Sequence, residues 1–242
     1  MNKNAFISGA SRGIGKGIAE SLASAGYNLA LCCINNIDPL REFAFLLQKT
    51  FGVHVKAYKL DVSSPKEWEN ISSEVLAEFG SVDVVVNNAG ISYIGLITDM
   101  SEFDWDRIIS TNLNSVFYST KVFLRSMISR KSGHIINISS MWGEKGASCE
   151  VAYSTTKGGI NAFTKSLAKE VAPSNISVNA ISCGVIDTDM NSCFSDEEMN
   201  SLIDEIPAGR LGTPSEVGQL VLSILNSPLY MTGQIIGIDG GI

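Results

Sequence analysis

Tyr153 and Lys157 stand four residues apart in Tyr153-Ser154-Thr155-Thr156-Lys157, the spacing that puts two side chains on one face of a helix. An ammonium held near a phenol favours the phenolate, so the pair is expected to bring the tyrosine below its ordinary value of about 10. A phenol tuned in that way can give a proton to a carbonyl oxygen or take one from an alcohol. Ser140 stands upstream of the pair, and its hydroxyl can bind the same oxygen. Near the N-terminus, Gly9-Ala10-Ser11-Arg12-Gly13-Ile14-Gly15 follows an apolar run and opens a helical stretch. Glycines there allow a tight turn and close approach of backbone to a pyrophosphate, while the free N–H groups and dipole of a helix N-terminus attract the anion. A phosphate cradle beside a proton-transferring phenol implies hydride exchange with a dinucleotide. The spacing differs from G-x-G-x-x-G, so the loop alone specifies little.

The elements that must position these residues alternate along the chain. Strand-like apolar runs occupy residues 4–8, 29–34, 53–60, 82–86, 134–138, 176–181 and 234–238. Several are continuously apolar, as in strands covered on both faces. Between them the pattern predicts helices at residues 13–25, 39–51, 65–79, 102–130, 151–172 and 214–226, with Gly52 and Gly80 as stops and Thr213-Pro214 as a start. This alternation predicts one α/β domain over residues 1–242, a doubly wound parallel sheet. The least regular stretch, residues 183–210, holds Gly184, Asp187, Asp189 and two methionines. It joins a strand end to a later helix, where such folds bind ligands, and it reads as a substrate lid or as a plain surface excursion.

Composition sets bounds. The chain of 242 residues is 45% hydrophobic and 18% charged, with net charge −7, which argues against nucleic acid or an anionic membrane as a main partner. Cys32, Cys33, Cys149, Cys183 and Cys193 form no C-x-x-C pair and read as thiols of a reducing cytoplasm. No secretory signal or membrane span is read. His54 and His134 have no metal-ligand spacing, and no catalytic metal is expected.

Together, Gly9-x-x-x-Gly13-x-Gly15, Asn87-Asn88-Ala89-Gly90, Ser140 and Tyr153-x-x-x-Lys157 resemble the short-chain dehydrogenase/reductase family. The resemblance runs over essentially the whole chain, to Thr232-Gly233-Gln234 and Asp239-Gly240-Gly241. The pattern is most similar to bacterial 3-oxoacyl-acyl-carrier-protein reductases. It implies a Rossmann-like sheet of about seven strands with helices on both faces, and a homotetramer in the cytoplasm. It implies Tyr153 as general acid–base and Lys157 as the residue that tunes it and holds the nicotinamide ribose. Ser140 is implied as a ligand of the substrate oxygen, and Asn112 as the holder of a relay water. Gly9, Ser11, Arg12, Gly13, Ile14, Gly15, Asn88, Ala89 and Gly90 would line the cofactor, Asp61-Val62 its adenine, and Ile186 and Thr188 its carboxamide. Plainer readings stand beside these: a strand-end serine at 140, a helix-interior Asn112, and Asp61 as a helix cap.

The cofactor choice follows from charge. An NAD enzyme places an acid at the end of the second strand, but this chain has Cys33-Ile34-Asn35-Asn36 and no acid before Asp38. Arg12 is placed to meet a 2′-phosphate, so NADP(H) is expected, Arg12 as a surface cation being the alternative. Cys183-Gly184 replaces the family's usual Pro-Gly, which should loosen the loop that follows. Of two basic residues expected to hold an acidic carrier protein, Lys131 is present and the other position is Ser174. Residues 141–150 place Trp142, Glu144 and Glu150 between the serine and the tyrosine. That loop resembles a subgroup that reduces a 5-aminopentanone group on a lysine of elongation factor P. The substrate is thus a small-molecule or carrier-linked ketone, or a protein-linked one. A non-catalytic NADP(H)-binding sensor is the alternative from another class, opposed by the intact Asn112, Ser140, Tyr153 and Lys157.

Overall fold

The computed structural model describes residues 3–192 and 194–242, without the side chain of Asp196; Cys193 lies outside the described residues. Seven strands form one sheet: β1 (Asn4–Ser8), β2 (Asn28–Cys33), β3 (Val55–Lys59), β4 (Val84–Asn87), β5 (Gly133–Ser140), β6 (Ile176–Cys183) and β7 (Ile235–Ile238). Their order is β3-β2-β1-β4-β5-β6-β7, and every pairing is parallel. The chain winds outward from β1 to β3, returns to pair β4 with β1, and winds outward again to β7. The winding therefore reverses between β1 and β4, and a ligand crevice opens there beyond the strand ends. The glycine loop follows β1 and Asn87-Asn88-Ala89-Gly90 ends β4, so the two motifs flank that crevice.

The helices are α1 (Gly13–Ser24), α2 (Ile37–Phe51), α3 (Pro65–Phe79), α4 (Glu102–Ile109), α5 (Ser115–Arg130), α6 (Trp142–Lys145), α7 (Val151–Val171), α8 (Asp196–Glu205) and α9 (Pro214–Leu225). Apolar stripes of α1, α2 and α9 cover one face of the sheet, with Ile18, Leu22, Leu40, Phe43, Val217 and Val221 in that layer. On the other face α3, α5 and α7 contribute Trp68, Val75, Phe123, Met127, Ala168 and Val171. Phe6 of β1 centres this second layer, 5.4 Å from the Trp68 ring and 5.1 Å from Phe123. Both faces are thus dry, which is why the strands read as unbroken apolar runs.

The strand positions agree with the sequence reading to within two residues. Helix α2 starts earlier than expected, at Ile37, because Pro39 still falls in the first turn, where its missing N–H loses no bond. The helix expected over residues 102–130 is interrupted. A π-helical turn, Ser110–Asn114, separates α4 from α5 and carries Asn112 inward to 1% exposure. The described residues between 183 and 210 hold more regular structure than their composition suggested. Ser195 and Glu198 form a reciprocal capping box that starts α8, and the neck of the excursion is closed by a bridge between Ile186 and Gly212.

Candidate active site

The crevice is held open by hydrogen bonds between its two loops. The buried Ser8 hydroxyl at the end of β1 accepts from the backbone N–H of Asn88 at 3.0 Å and of Ala89 at 3.1 Å. The Asn88 amide donates to the carbonyls of Ser8 and Gly9, each at 3.0 Å. Gly15 faces this knot at a distance no side chain tolerates, since a β-carbon there would lie 2.2 Å from the Gly9 carbonyl oxygen. Gly9 and Gly13 both take left-handed φ, 66° and 52°. The start of α1 then presents N–H groups with no side-chain cap, and its first turn has no acidic residue. By contrast α3, α8 and α9 all begin with a side-chain oxygen on those groups. An uncapped helix start beneath two left-handed glycines suits a diphosphate, so these residues fit a dinucleotide. Ser11 and Ile14 are half-buried on the same loop.

Ser140 and Cys183 end neighbouring strands in register. The backbone N–H of Trp142 donates to Ser140 Oγ at 3.2 Å, and the Ser140 side chain lies near enough to the Tyr153 hydroxyl to pull its pKa down. Tyr153 is half-buried. Lys157 is buried, and its amine donates to the Ile138 carbonyl at 2.8 Å and lies 5.4 Å from the Tyr153 ring centroid. The structure thus brings the serine, tyrosine and lysine together at the end of β5.

The electrostatics differ from the expectation of a lowered phenol. Burial, reinforced by Cys183 and Glu150, holds Tyr153 above its ordinary value, and only the Ser140 hydrogen bond pulls it down. Desolvation sets the direction, while the Lys157 amine directs its hydrogen bond to a backbone carbonyl rather than to the phenol. Lys157 is itself lowered to about 8 by burial, against a smaller opposing effect of Cys183. The Cys183 thiol is pushed up to about 12 by the same loss of water, which makes it a poor nucleophile at neutral pH.

Asn112 sits behind this cluster. Its amide accepts from the Ile91 N–H at 2.8 Å, donates to the Ile91 carbonyl at 2.9 Å and donates to Thr156 Oγ1 at 3.2 Å. Thr156 in turn donates to the Tyr153 carbonyl, so Asn112 ties the loop after Gly90 to the helix that carries the tyrosine. Asp61 accepts from the N–H and the hydroxyl of Ser63 through one oxygen, turning the chain into α3, while Ser64 makes the helix cap. Val62 is buried beside Trp68. Across the crevice Thr188 stands against Gly13, where a β-carbon would meet its methyl at 3.1 Å, and Ile186 is buried at the neck of the excursion. Arg12 and Asp189 pair at 3.5 Å, both about two-thirds exposed. Such a contact contributes little by itself.

Three contributors escaped the sequence reading. Ser8 was visible only as the last residue of a strand. Thr156 lay inside the tyrosine motif with no signal of its own. Gly143 was the legible one, a glycine in the loop between serine and tyrosine. A β-carbon there would lie 2.7 Å from the Lys157 carbonyl carbon, so only glycine lets α6 pack directly on α7. Lys131 and Ser174 lie at the other end of β5 and β6, the Lys131 carbonyl accepting from Asn175 at 3.3 Å. They are remote from the mouth of their own chain's crevice because both precede the strands whose far ends carry the site.

A doubly wound parallel sheet whose crevice joins an uncapped glycine loop to a serine–tyrosine–lysine cluster defines a nicotinamide-dependent oxidoreductase. The short chain dehydrogenase family model matches residues 3–199, and the chain belongs to that family. It is 42% identical over 242 residues to the "Uncharacterized oxidoreductase YmfI" of Bacillus subtilis, covering 100% of this chain and 99% of that one. It is 41% identical over 243 residues to the 3-oxoacyl-[acyl-carrier-protein] reductase FabG of Chlamydia muridarum, covering 100% and 98%. The FabG of Escherichia coli is 37% identical over 243 residues, covering 99% and 97%. Among the described residues no group of His, Cys, Asp and Glu could hold a metal ion, and no helix is long and apolar enough to cross a membrane.

The buried lysine has a signature in stability. Folded Lys157 releases its proton near 8, whereas an unfolded lysine does so near about 10.4. A base with a depressed folded value binds fewer protons when folded. Its cost, about 3 kcal/mol, is therefore fully present below about pH 8 and fades as pH climbs toward about 10.4. Denaturant melts of wild type and Lys157→Met should show the variant's relative advantage shrinking across that window. A difference flat with pH would contradict it.

Proposed function

We propose that this protein reduces a ketone of the 3-oxoacyl thioester kind to a secondary alcohol, with NADPH as the reductant. The observation that carries this reading is the gathering of Ser140, Tyr153 and Lys157 at the end of β5, beside a helix start suited to a diphosphate. The nicotinamide supplies the hydride. Ser140 donates a hydrogen bond to the ketone oxygen and orients it. Tyr153, held above its ordinary value, keeps its proton at neutral pH and gives it to the oxygen as charge develops there. Lys157 makes that loss easier through its nearby cation and would hold the ribose. Asn112 fixes the loop and the helix on either side. Gly90, Ala89 and Asn88 would lie along the cofactor, with Asp61 and Val62 at its adenine and Ile186 and Thr188 at its carboxamide.

Charge at the end of β2 supports NADPH. No carboxylate stands at Cys33, and the first acid, Asp38, is already bound by Arg41 at 2.9 Å. Lys59, at the end of β3 beside β2, acts on the Cys33 thiol as a cation, and Arg12 is exposed on the glycine loop that follows β1. A 2′-phosphate would find cations there rather than repulsion.

A second substrate reading rests on Glu150. This half-buried carboxylate, raised by burial, acts on Tyr153 as a negative neighbour and has no hydrogen-bond or ion-pair partner among the described residues. An amine-bearing ketone, such as an aminopentanone on a lysine of elongation factor P, would satisfy it. Glu144 and Asp187 are exposed, and Asp189 is engaged with Arg12, so the charge argument narrows to one residue. The surface also supports a homo-oligomer, a tetramer by resemblance. On the long helices α5 and α7, Leu167 belongs to the core and Val122 and Phe163 pack against it, but Phe117 is exposed, as are Phe103 and Val151, and could pair across a two-fold axis.

Tyr153→Phe should lower turnover by about a hundred- to ten-thousandfold while NADPH binding stays within about twofold; a variant keeping a third of the wild-type rate would sink the assignment. Arg12→Ala should weaken NADPH about ten- to a hundredfold and NADH hardly at all, and equal losses would mean that Arg12 does not read the phosphate. Glu150→Gln should lower kcat/KM for a cationic ketone relative to a neutral one, more at low salt. An unmoved ratio leaves the oxoacyl thioester reading alone. Light scattering at micromolar concentration should return a mass well above 25.9 kDa, and a monomer refutes the assembly.

A further inference from the structure

Residues 239–242, just past β7, touch both walls of the crevice at once. On one side the Gly240 carbonyl accepts from the Ala208 N–H at 3.0 Å. Gly240 itself has a left-handed φ of 70°, and a β-carbon on it would stand 2.7 Å from Ile206 Cγ2. Ile206 is buried and ends α8, so this contact seats the base of the excursion formed by residues 183–210. On the other side the Lys145 amine donates to the Ile242 carbonyl at 2.6 Å. Lys145 ends α6, the short helix lodged on α7 through Gly143, and it belongs to the loop that leaves Ser140. Between the two contacts the strap is short and stiff. The Asp239 carboxylate accepts from the Gly241 N–H at 3.0 Å, closing a turn, and the Gly184 N–H is held by the Ile238 carbonyl at 2.9 Å.

We propose that residues 239–242 are a strap that couples the lid to the loop after Ser140, with Lys145 as its positioning residue, so that the two walls of the substrate crevice shift together. The proposal rests on residues 183–210 acting as a lid. The two contacts lie at Gly240 and Ile242, two residues apart, so the chain between them has at most about 7 Å of reach with which to absorb a displacement before passing it on. A lid moving over substrate would therefore draw α6 with it. Because α6 follows Ser140 directly and packs on Lys157, that movement would reach the hydroxyl that orients the ketone.

The test uses the full-length protein. Lys145 is exposed, so Lys145→Met should fold with a melting temperature close to wild type. Losing the one hydrogen bond should raise KM for the ketone about three- to tenfold, with kcat and NADPH affinity within about twofold, and Lys145→Arg should restore KM. In native-state hydrogen exchange without substrate, Lys145→Met should speed exchange in residues 142–150 and in residues 194–211 together. Gly240→Val, which pushes on Ile206, should loosen the same two segments from the other side. Faster exchange in residues 142–150 alone, or in neither segment, overturns the coupling. The lid reading is scored apart from it: if ketone and NADPH leave exchange in residues 194–211 of wild type unchanged, the lid fails whatever the strap does.

Discussion

The amine of Lys157 has been taken out of water at the end of β5, and much of the neighbouring architecture serves to keep it there. A buried ammonium needs a fixed acceptor, and the Ile138 carbonyl supplies it at 2.8 Å. That contact requires α7 to lie tight against the strand end, and further hydrogen bonds along the same seam hold it. The Asn137 amide donates to Thr164 of α7 at 2.8 Å, Asn87 of β4 donates to Asn137 at 2.8 Å, and the Lys157 carbonyl accepts from Ser139. One buried line of polar side chains thus runs from α7 across two strands inside an otherwise apolar layer. Each member is costly to bury alone and sound only with its partner. The alignment of Tyr153 over Ser140 depends on that line.

Much of this was legible in the sequence, for physical reasons that differ from residue to residue. Strands buried on both faces favour unbroken apolar runs, so Ala5-Phe6-Ile7 of β1 and Val84-Val85-Val86 of β4 could hardly read as anything else. Helices begin where a serine or threonine can cap them, which located α3 and α9. The tyrosine and lysine shared a face because helical spacing demands it. What spacing could not reveal was which atom the amine would choose. It chose a backbone carbonyl, and burial then governed the phenol, reversing the expected direction of its shift. The π-helical turn at Ser110–Asn114 was hidden because its residues suit an ordinary helix equally well. The reason for it lies in Ile91, far off in sequence, whose backbone Asn112 must reach. The box at Ser195 and Glu198 was readable but was masked by the polar composition around it.

Substitution of cysteine for the family's proline at position 183 has a local meaning. A strand residue with an N–H extends β6 in register to the level of Ser140, and the Cys183 carbonyl accepts from the Met141 N–H at 2.9 Å. The chain therefore leaves β5 and β6 at the same height. The excursion that begins at Gly184 gains its order elsewhere, from the Ile186–Gly212 bridge and from the box that starts α8.

The central pairing of β1 with β4 joins residues nearly eighty positions apart, Ala5 with Val84 and Ile7 with Val86. Nothing local can close that ladder, so the glycine loop and Asn87-Asn88-Ala89-Gly90 meet only after the intervening chain has wound β2 and β3 and come back. On a ribosome the first seventy or so residues would emerge with a phosphate loop that has no opposite wall. Nonlocal parallel pairing of this kind is slow to form. Binding of the dinucleotide would then appear late and all at once, when β4 docks. For this chain, acquisition of cofactor affinity during refolding would be a clock for the closure of the sheet's centre, read without any probe attached to the protein.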